Sequence, residues 1–356
     1  MTRDISLYSN VVPREDVFNP KFDDQVAPEL SDVYKGTAPK IYTDPEEFFA
    51  ITYFTDSMKS LVKDVSESFR LEKGMTIPLF SFFGGGKTHS LIMLYHAFKN
   101  PEKARKYGLD VEEGVKVIVI GGKDSTTAPS PADPPLKRGD KEIKTLWGYI
   151  ADQLGKYELV EMYDKDMIAP TKDRLEEVFG DEKVLILVDE IAMYLGRLKR
   201  TELVKYFNYY NQVLFFFENL ASITLSFPVV LAITIPAVYE ERNEKGGEKE
   251  VIVAEKGYEG VVEELAKRIL RAGKVYRAPI ESPTDLGNVL KKRLFKAINA
   301  EVIPEVKRRY SKYVEDFKDY VDKESEKNLD SSYPFHPYYL ELLKFLLENA
   351  GLQSTR

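Results

Sequence analysis

The chain has 356 residues, 43% of them hydrophobic, with 51 basic against 58 acidic side chains and a net charge of −7. That length holds one large or two medium domains around a sizeable core. The lack of cysteine excludes disulfides, thiolate metal sites and cysteine nucleophiles, three scattered histidines (His89, His96, His336) argue against zinc, and the acidic balance argues against a surface basic throughout. No apolar run reaches membrane-spanning length and Met1-Thr2-Arg3-Asp4 does not open a signal peptide, so no membrane contact and a cytoplasmic location are expected. High charge with only four glutamines is the pattern of a hyperthermophile protein.

Residues 1–43 are polar, carry Pro13, Pro20, Pro28 and Pro39, and read as an extended arm. Asp44-Pro45-Glu46-Glu47 is a helix start of cap, proline and acids, and the helix is expected to run to about Glu72, with Gly74 as its stop. An apolar strand at 76–80 leads into Ser81-Phe82-Phe83-Gly84-Gly85-Gly86-Lys87-Thr88, and a helical run follows at 90–98. Strand, glycine-rich loop ending in Gly-Lys-Thr, then helix is the layout of a phosphate-binding P-loop. Glycines let successive N–H groups converge on phosphates, and the helix N-terminus adds partial positive charge. Lys87 can reach the β- and γ-phosphates and Thr88 can ligate Mg²⁺. The usual pattern has glycine where Ser81 stands, but three consecutive glycines still free the backbone. Taken alone, the loop could also be an ordinary strand-to-helix turn.

A second strand, 115–120, is followed by a long segment, 121–142, carrying four prolines and Lys123, Lys137, Arg138 and Lys141. A loop of that length is often functional, as when it faces the pore of a ring; a solvated, proline-stiffened surface loop is the plainer alternative. A helix is expected near 145–154. Lys183-Val184-Leu185-Ile186-Leu187-Val188-Asp189-Glu190 is an aliphatic strand, buried on both faces, ending in two acids. In a Walker B arrangement Asp189 would hold Mg²⁺ through water and Glu190 would polarise the attacking water. A strand stopping at a charged turn is the alternative. After a helix near 202–222 comes a strand at 228–234 ending in Thr234, which either reads the γ-phosphate and orients water or is simply a β-branched strand end.

Residues 241–259 read as a surface hairpin or insertion. The next helix carries Arg268 and Arg271, three apart on one face, either of which could reach a neighbouring subunit's γ-phosphate or could form ordinary ion pairs. Residues 274–277 are expected as a fifth strand. From 282 onward the pattern is helical, with helices at 285–300, 304–325 and 338–349. Where a lid of this kind would carry a sensor arginine, the chain offers His336.

Alternation of strand and helix predicts an α/β fold with a parallel sheet covered by helices. Counting core strands in chain order, the expected sheet order is 5-1-4-3-2, a P-loop NTPase of the additional-strand, catalytic-glutamate type. The expected divisions are an arm at 1–43, an ATPase core at 44–281 and a helical lid at 282–356. The implied cofactors are ATP and Mg²⁺.

Phe83-Gly84-Gly85-Gly86-Lys87-Thr88-His89, Thr145-Leu146-Trp147-Gly148, Val188-Asp189-Glu190 and Tyr333-Pro334-Phe335-His336-Pro337 resemble the AAA+ ATPases, and among them an archaeal and bacterial group, the domain-of-unknown-function 499 family. The resemblance spans roughly residues 40–345. It implies nucleotide contacts along Phe83, Gly84, Gly85, Gly86, Lys87, Thr88 and His89. It also implies a DNA-related task in a defence or restriction-type assembly, a DNA or DNA-methyltransferase partner, and a homo-oligomer, ring or dimer. The alternative is an ATP-gated switch or scaffold with little hydrolysis.

Overall fold

The computed structural model describes residues 4–19, 28–81, 86–199, 204–244, 247–254, 257–270, 276–277, 283–317 and 324–349. The chain divides into two compact units. One comprises Pro28–Glu46 and Asp56–Pro279; the other comprises Met1–Ala27, Glu47–Thr55 and Ile280–Arg356.

The larger unit is mixed α/β. In chain order it holds α1 (Leu30–Lys35), α2 (Asp56–Arg70), β1 (Met75–Ser81), α3 (Lys87–Lys99), β2 (Lys116–Gly121), β3 (Leu136–Arg138), β4 (Lys141–Ile143), α4 (Leu146–Gln153), α5 (Lys172–Phe179) and β5 (Val184–Asp189). There follow α6 (Ile191–Lys199), α7 (Val204–Ile223), β6 (Val229–Glu244), β7 (Gly247–Ala254), α8 (Glu259–Ile269) and β8 (Tyr276–Arg277). Strands β2, β5, β6 and β1 lie side by side in parallel, and the two described residues of β8 pair in parallel with Leu79 and Phe80 of β1. Every residue of β5 is buried, which is what an aliphatic run becomes when helices cover both faces. Helix α2 is amphipathic and buries Met58, Leu61, Val62, Val65 and Phe69 at three- and four-residue spacing.

The expected single helix from 44 to about 72 is instead two helices, Pro45–Ile51 and α2. The intervening Thr52-Tyr53-Phe54-Thr55 is β-branched and aromatic, a poor helix interior, and the Phe54 ring packs on Phe49 at 6.0 Å. The segment 121–142 is tucked in over 127–130 and exposed over much of the rest. Thr127, Ala128 and Ser130 are buried, the Tyr194 hydroxyl of α6 donates to the Pro129 carbonyl at 2.9 Å, and β3 and β4 form a small hairpin. The insertion at 241–259 does contain a hairpin: β6 runs far beyond the sheet and β7 returns antiparallel to it.

The start of α4 shows why Thr145-Leu146-Trp147-Gly148 has its composition. Thr145 caps the helix, its hydroxyl accepting from Gly148 N at 3.1 Å, while Asp164 accepts from Thr145 N at 2.9 Å, the Thr145 hydroxyl at 2.5 Å and the Tyr157 hydroxyl at 2.9 Å. A Cβ at Gly148 would lie 2.2 Å from Asp164 Oδ1, so only glycine admits the carboxylate.

The smaller unit holds α9 (Pro283–Leu294), β9 (Phe295–Ile298), α10 (Ile303–Asp316), α11 (Glu324–Ser332) and α12 (Pro337–Asn349). The helix expected over 285–300 ends at Leu294 because the next four residues form β9, which pairs antiparallel with Val11–Pro13. Phe335 packs between Phe295 and Tyr339, each 5.8 Å away, so the Tyr-Pro-Phe-His-Pro stretch serves as an aromatic packing node in this unit. Among the described residues no helix is long and apolar enough to cross a membrane.

Candidate functional site

The carboxyl ends of the central strands carry the chemistry-bearing residues of the larger unit. In an open parallel sheet that is the end where ligands bind. Registers fix the layout: Leu79 of β1 opposes Thr234 of β6, Val188 of β5 opposes Ile233, and Gly121 of β2 opposes Asp189. Asp189 and Thr234 therefore stand on adjacent strands, and β6 separates Asp189 from the strand that feeds α3.

Asp189 is 4% exposed and Thr234 2%. The Thr234 hydroxyl donates to Asp189 Oδ1 at 2.7 Å, and the Glu190 amide approaches both Asp189 Oδ1, at 3.0 Å, and Thr234 Oγ1, at 3.1 Å. Asp189 and Thr234 thus meet directly, with Thr234 orienting the acid, but the strand expected to end at Thr234 runs on to Glu244 because it pairs on with β1 and then β7. Glu190 begins the turn into α6 with φ of 55°, a left-handed conformation unusual for a non-glycine residue. Burial first, and the Asp189 charge second, push its pKa up to about 7, against the pull of Lys123.

Lys123 is the partner that sequence reading does not assign to the site. Its ammonium forms an ion pair with Glu190 and a second one, at 3.3 Å, with Glu29 just before α1. Partial burial works against this ammonium, yet Glu190 and Glu29 together hold its pKa above the ordinary lysine value. Gly122 makes the approach possible. Its amide donates to the Asp189 carbonyl at 2.8 Å, and a Cβ there would lie 2.3 Å from the Glu190 carbonyl oxygen. The only sequence signal for Lys123 is its place two residues beyond a buried strand that ends in glycine.

On the other side of β6, Gly86 caps α3 with φ of 81°, and Lys87, Thr88 and His89 occupy its first turn, each half-buried. Gly86 makes no side-chain cap, and a helix N-terminus of this kind suits an anion. Phe83, Gly84 and Gly85 lie outside the described residues, as does Arg271. Arg268 on α8 forms an ion pair with Glu218 of α7, the ordinary helix-surface pairing for such a residue.

Among the described residues no group of three or more His, Cys, Asp or Glu side chains forms a protein-only metal site. Asp189 is the single buried carboxylate here, so a cation at this place would need most of its ligands from outside the protein's acids. A shallow cleft lined by Glu113, Lys116, Glu182 and Lys183 lies at the opposite, amino-terminal end of β2 and β5. Asp181 completes its charged lining; Lys116 pairs with Glu182 at 2.5 Å, while Lys183 pairs with Glu112 at 2.6 Å.

Comparison with known families gives two matches. The model described as the DUF499 N-terminal domain matches residues 6–275, and the one described as the DUF499 second domain matches residues 281–356. No curated protein matches the chain.

Proposed function

The chain belongs to the DUF499 family, and from that premise we propose that it is an AAA+-like P-loop ATPase that binds and hydrolyses ATP with Mg²⁺. The observation that carries the proposal is the buried pair of Asp189, at the carboxyl end of β5, and Thr234, on the neighbouring β6, with Glu190 beside it and the Gly86-Lys87-Thr88 helix start one strand away. The neighbour order β2–β5–β6–β1–β8 supports the additional-strand, catalytic-glutamate type of P-loop fold.

In this reading the α3 amides and Lys87 neutralise the phosphates, and Thr88 and Asp189 would hold the cation. Bound Mg²⁺ would supply neutralisation of phosphate charge. Glu190, desolvated and near neutral pKa, accepts a proton from the attacking water. Thr234 keeps Asp189 aimed. Arg268 needs to leave Glu218 before it could serve a neighbouring subunit. Hydrolysis would drive movement within a DNA-related assembly of the defence or restriction type.

The ion pair between Glu190 and Lys123 favours one second reading, an ATP-gated switch that turns over slowly. Equilibrium binding and single-turnover hydrolysis of Mg-ATP test both. Lys87→Ala is expected to abolish ATP binding. Glu190→Gln is expected to keep binding and lose hydrolysis by at least about a hundredfold, the size of a general-base contribution. Retained affinity in the first variant removes the P-loop assignment, and unchanged turnover in the second removes the base.

A further inference from the structure

The chain carries a net charge of −7, yet residues 291–313 hold eight basic side chains against two acids, Glu301 and Glu305. This stretch runs from the end of α9 through β9 into α10 of the smaller unit. Tyr310 and Tyr313 on α10, and Phe317 just past its end, stand at three- and four-residue spacing and so share one face. His336, before α12, extends the row. Ring centroids step 5.5 Å from His336 to Tyr310, 5.8 Å on to Tyr313 and 4.8 Å on to Phe317. These rings are not core: His336 is exposed, Tyr313 is 42% exposed and Phe317 49%, and α10 buries Val314 instead. Beside them Lys312 is exposed and forms no ion pair among the described residues. Arg308 and Arg309 share the single carboxylate of Glu305, at 2.8 and 3.0 Å, so the three together keep one positive charge. Arg308 commits Nε and Nη2 to Glu305 and keeps its Nη1 donors. Lys307 is neutralised by Asp330 at 2.6 Å, and Glu315 and Asp316 close the helix, so the net positive charge lies at 308–312.

We propose that this row of rings, with the cations beside it, binds single-stranded DNA. Unpaired bases offer faces that stack on aromatic side chains, and the phosphates between them meet the cations. A duplex hides those faces in its own stack. From Tyr310 to Phe317 the helix rises about 10 Å, room for about three nucleotides stacked at ~3.4 Å each. Charge decides between a strand and an apolar protein surface. The apolar surface would desolvate Arg308, Arg309 and Lys312 against nothing of opposite sign, whereas phosphates supply that sign. The surface lies within the smaller unit and requires neither ATP nor Glu190. That the strand is DNA and not RNA rests on the DNA-related task of the proposed function.

The experiment uses the full chain without ATP and reads the anisotropy of fluorescein-labelled oligothymidylate, beside oligouridylate and duplex DNA of the same length. Single-stranded DNA is expected to bind most tightly. Tyr313→Ala and Phe317→Ala are each expected to weaken it about 5- to 100-fold, and Tyr313→Phe, which keeps the ring, to bind as wild type. Circular dichroism checks that the alanine variants stay folded. Lys312→Ala is expected to weaken binding and to lower the slope of log affinity against log salt by about 0.7. No binding at low salt, tighter binding of duplex or RNA, or alanine variants that bind as wild type each overturn the proposal. So does a changed oligomeric state in Tyr313→Ala with DNA binding intact, which marks the row as a subunit contact. Lys87→Ala is expected to bind DNA as wild type, so failure of the ATPase reading and failure of this surface are read separately.

Discussion

Thr234 carries one hydroxyl and engages it twice, donating to Asp189 and facing the Glu190 amide. Replacing it with valine keeps the volume and strands a nearly buried carboxylate. Thr234→Val is expected to lower stability by about 1–3 kcal/mol, read as a shift in urea midpoint at constant slope, while Thr234→Ser keeps most of it. A neutral valine variant would mean that the hydroxyl does not hold Asp189. Asp189 and Glu190 stand out in the sequence because they close an unmistakable aliphatic run, and Thr234 because it is the polar residue within another. The Lys123–Glu29 contact was not, because it joins positions 94 apart with no periodic signal at either end. The role of Thr234 toward Asp189 was likewise hidden: a strand-end threonine looks the same whether it faces a phosphate or a neighbouring strand.

At the scale of elements, the N-terminus of α4 is the joint most dependent on a few polar contacts. Asp164 has no exposed surface and accepts from four donors, the Lys144 and Thr145 amides and the Thr145 and Tyr157 hydroxyls. Asp164→Ala leaves all four buried or half-buried without a partner and is expected to cost at least about 3 kcal/mol. Thr145→Ala loses one cap and one of those donors and is expected to cost about 1–2 kcal/mol. Chemical denaturation of both variants checks the ranking, and an Asp164 variant no worse than Thr145→Ala would refute it. The helix itself was visible from its cap and apolar content. Its buried anchor lies 19 residues downstream in a polar stretch that carries no pattern. The switch from α9 to β9 escapes for a related reason, local helical composition continuing past the point where tertiary pairing takes over, whereas the break at 52–55 is written in its β-branched and aromatic residues.

Across the larger unit, charged side chains gather at the end of the sheet away from the candidate site. Arg70 pairs with Asp110 at 2.5 Å and Glu112 at 3.2 Å, Lys183 joins Glu112, and Glu182 bridges Lys116 and Lys156. These groups are partly exposed, so each pair alone contributes little near 25 °C; as a web they count for more on heating. Arg70→Ala is expected to change stability by less than about 1 kcal/mol at 25 °C and to lower the melting temperature measurably. Hydrogen bonding to Arg70 holds the Asp110 pKa below the usual range, and hydrogen bonding to Lys183 does the same for Glu112. Because the folded values lie below the unfolded ones, the web stabilises above the ordinary carboxylate pKa and loses that contribution as pH falls through the depressed values. Melting curves from neutral to acid pH should fall in wild type and fall less steeply in Arg70→Ala. The alternation that predicts a helix-covered parallel sheet is readable from the first sheet strand to the last in this unit. The packing of residues 7–18 with the C-terminal helices was not, since such short elements leave no periodicity to read.

The backbone at Glu190 sits in a region that L side chains with a Cβ enter reluctantly, at φ of 55°. A protein shaped for durability alone would carry asparagine or glycine there. Glu190→Asn should therefore survive heat slightly better than its parent, by roughly 0.5–1 kcal/mol, while losing whatever that carboxylate accomplishes. Under the proposed ATPase reading, endurance and turnover are set against each other at a single torsion angle, and a melting curve beside a hydrolysis trace would show which of the two this position has been kept for.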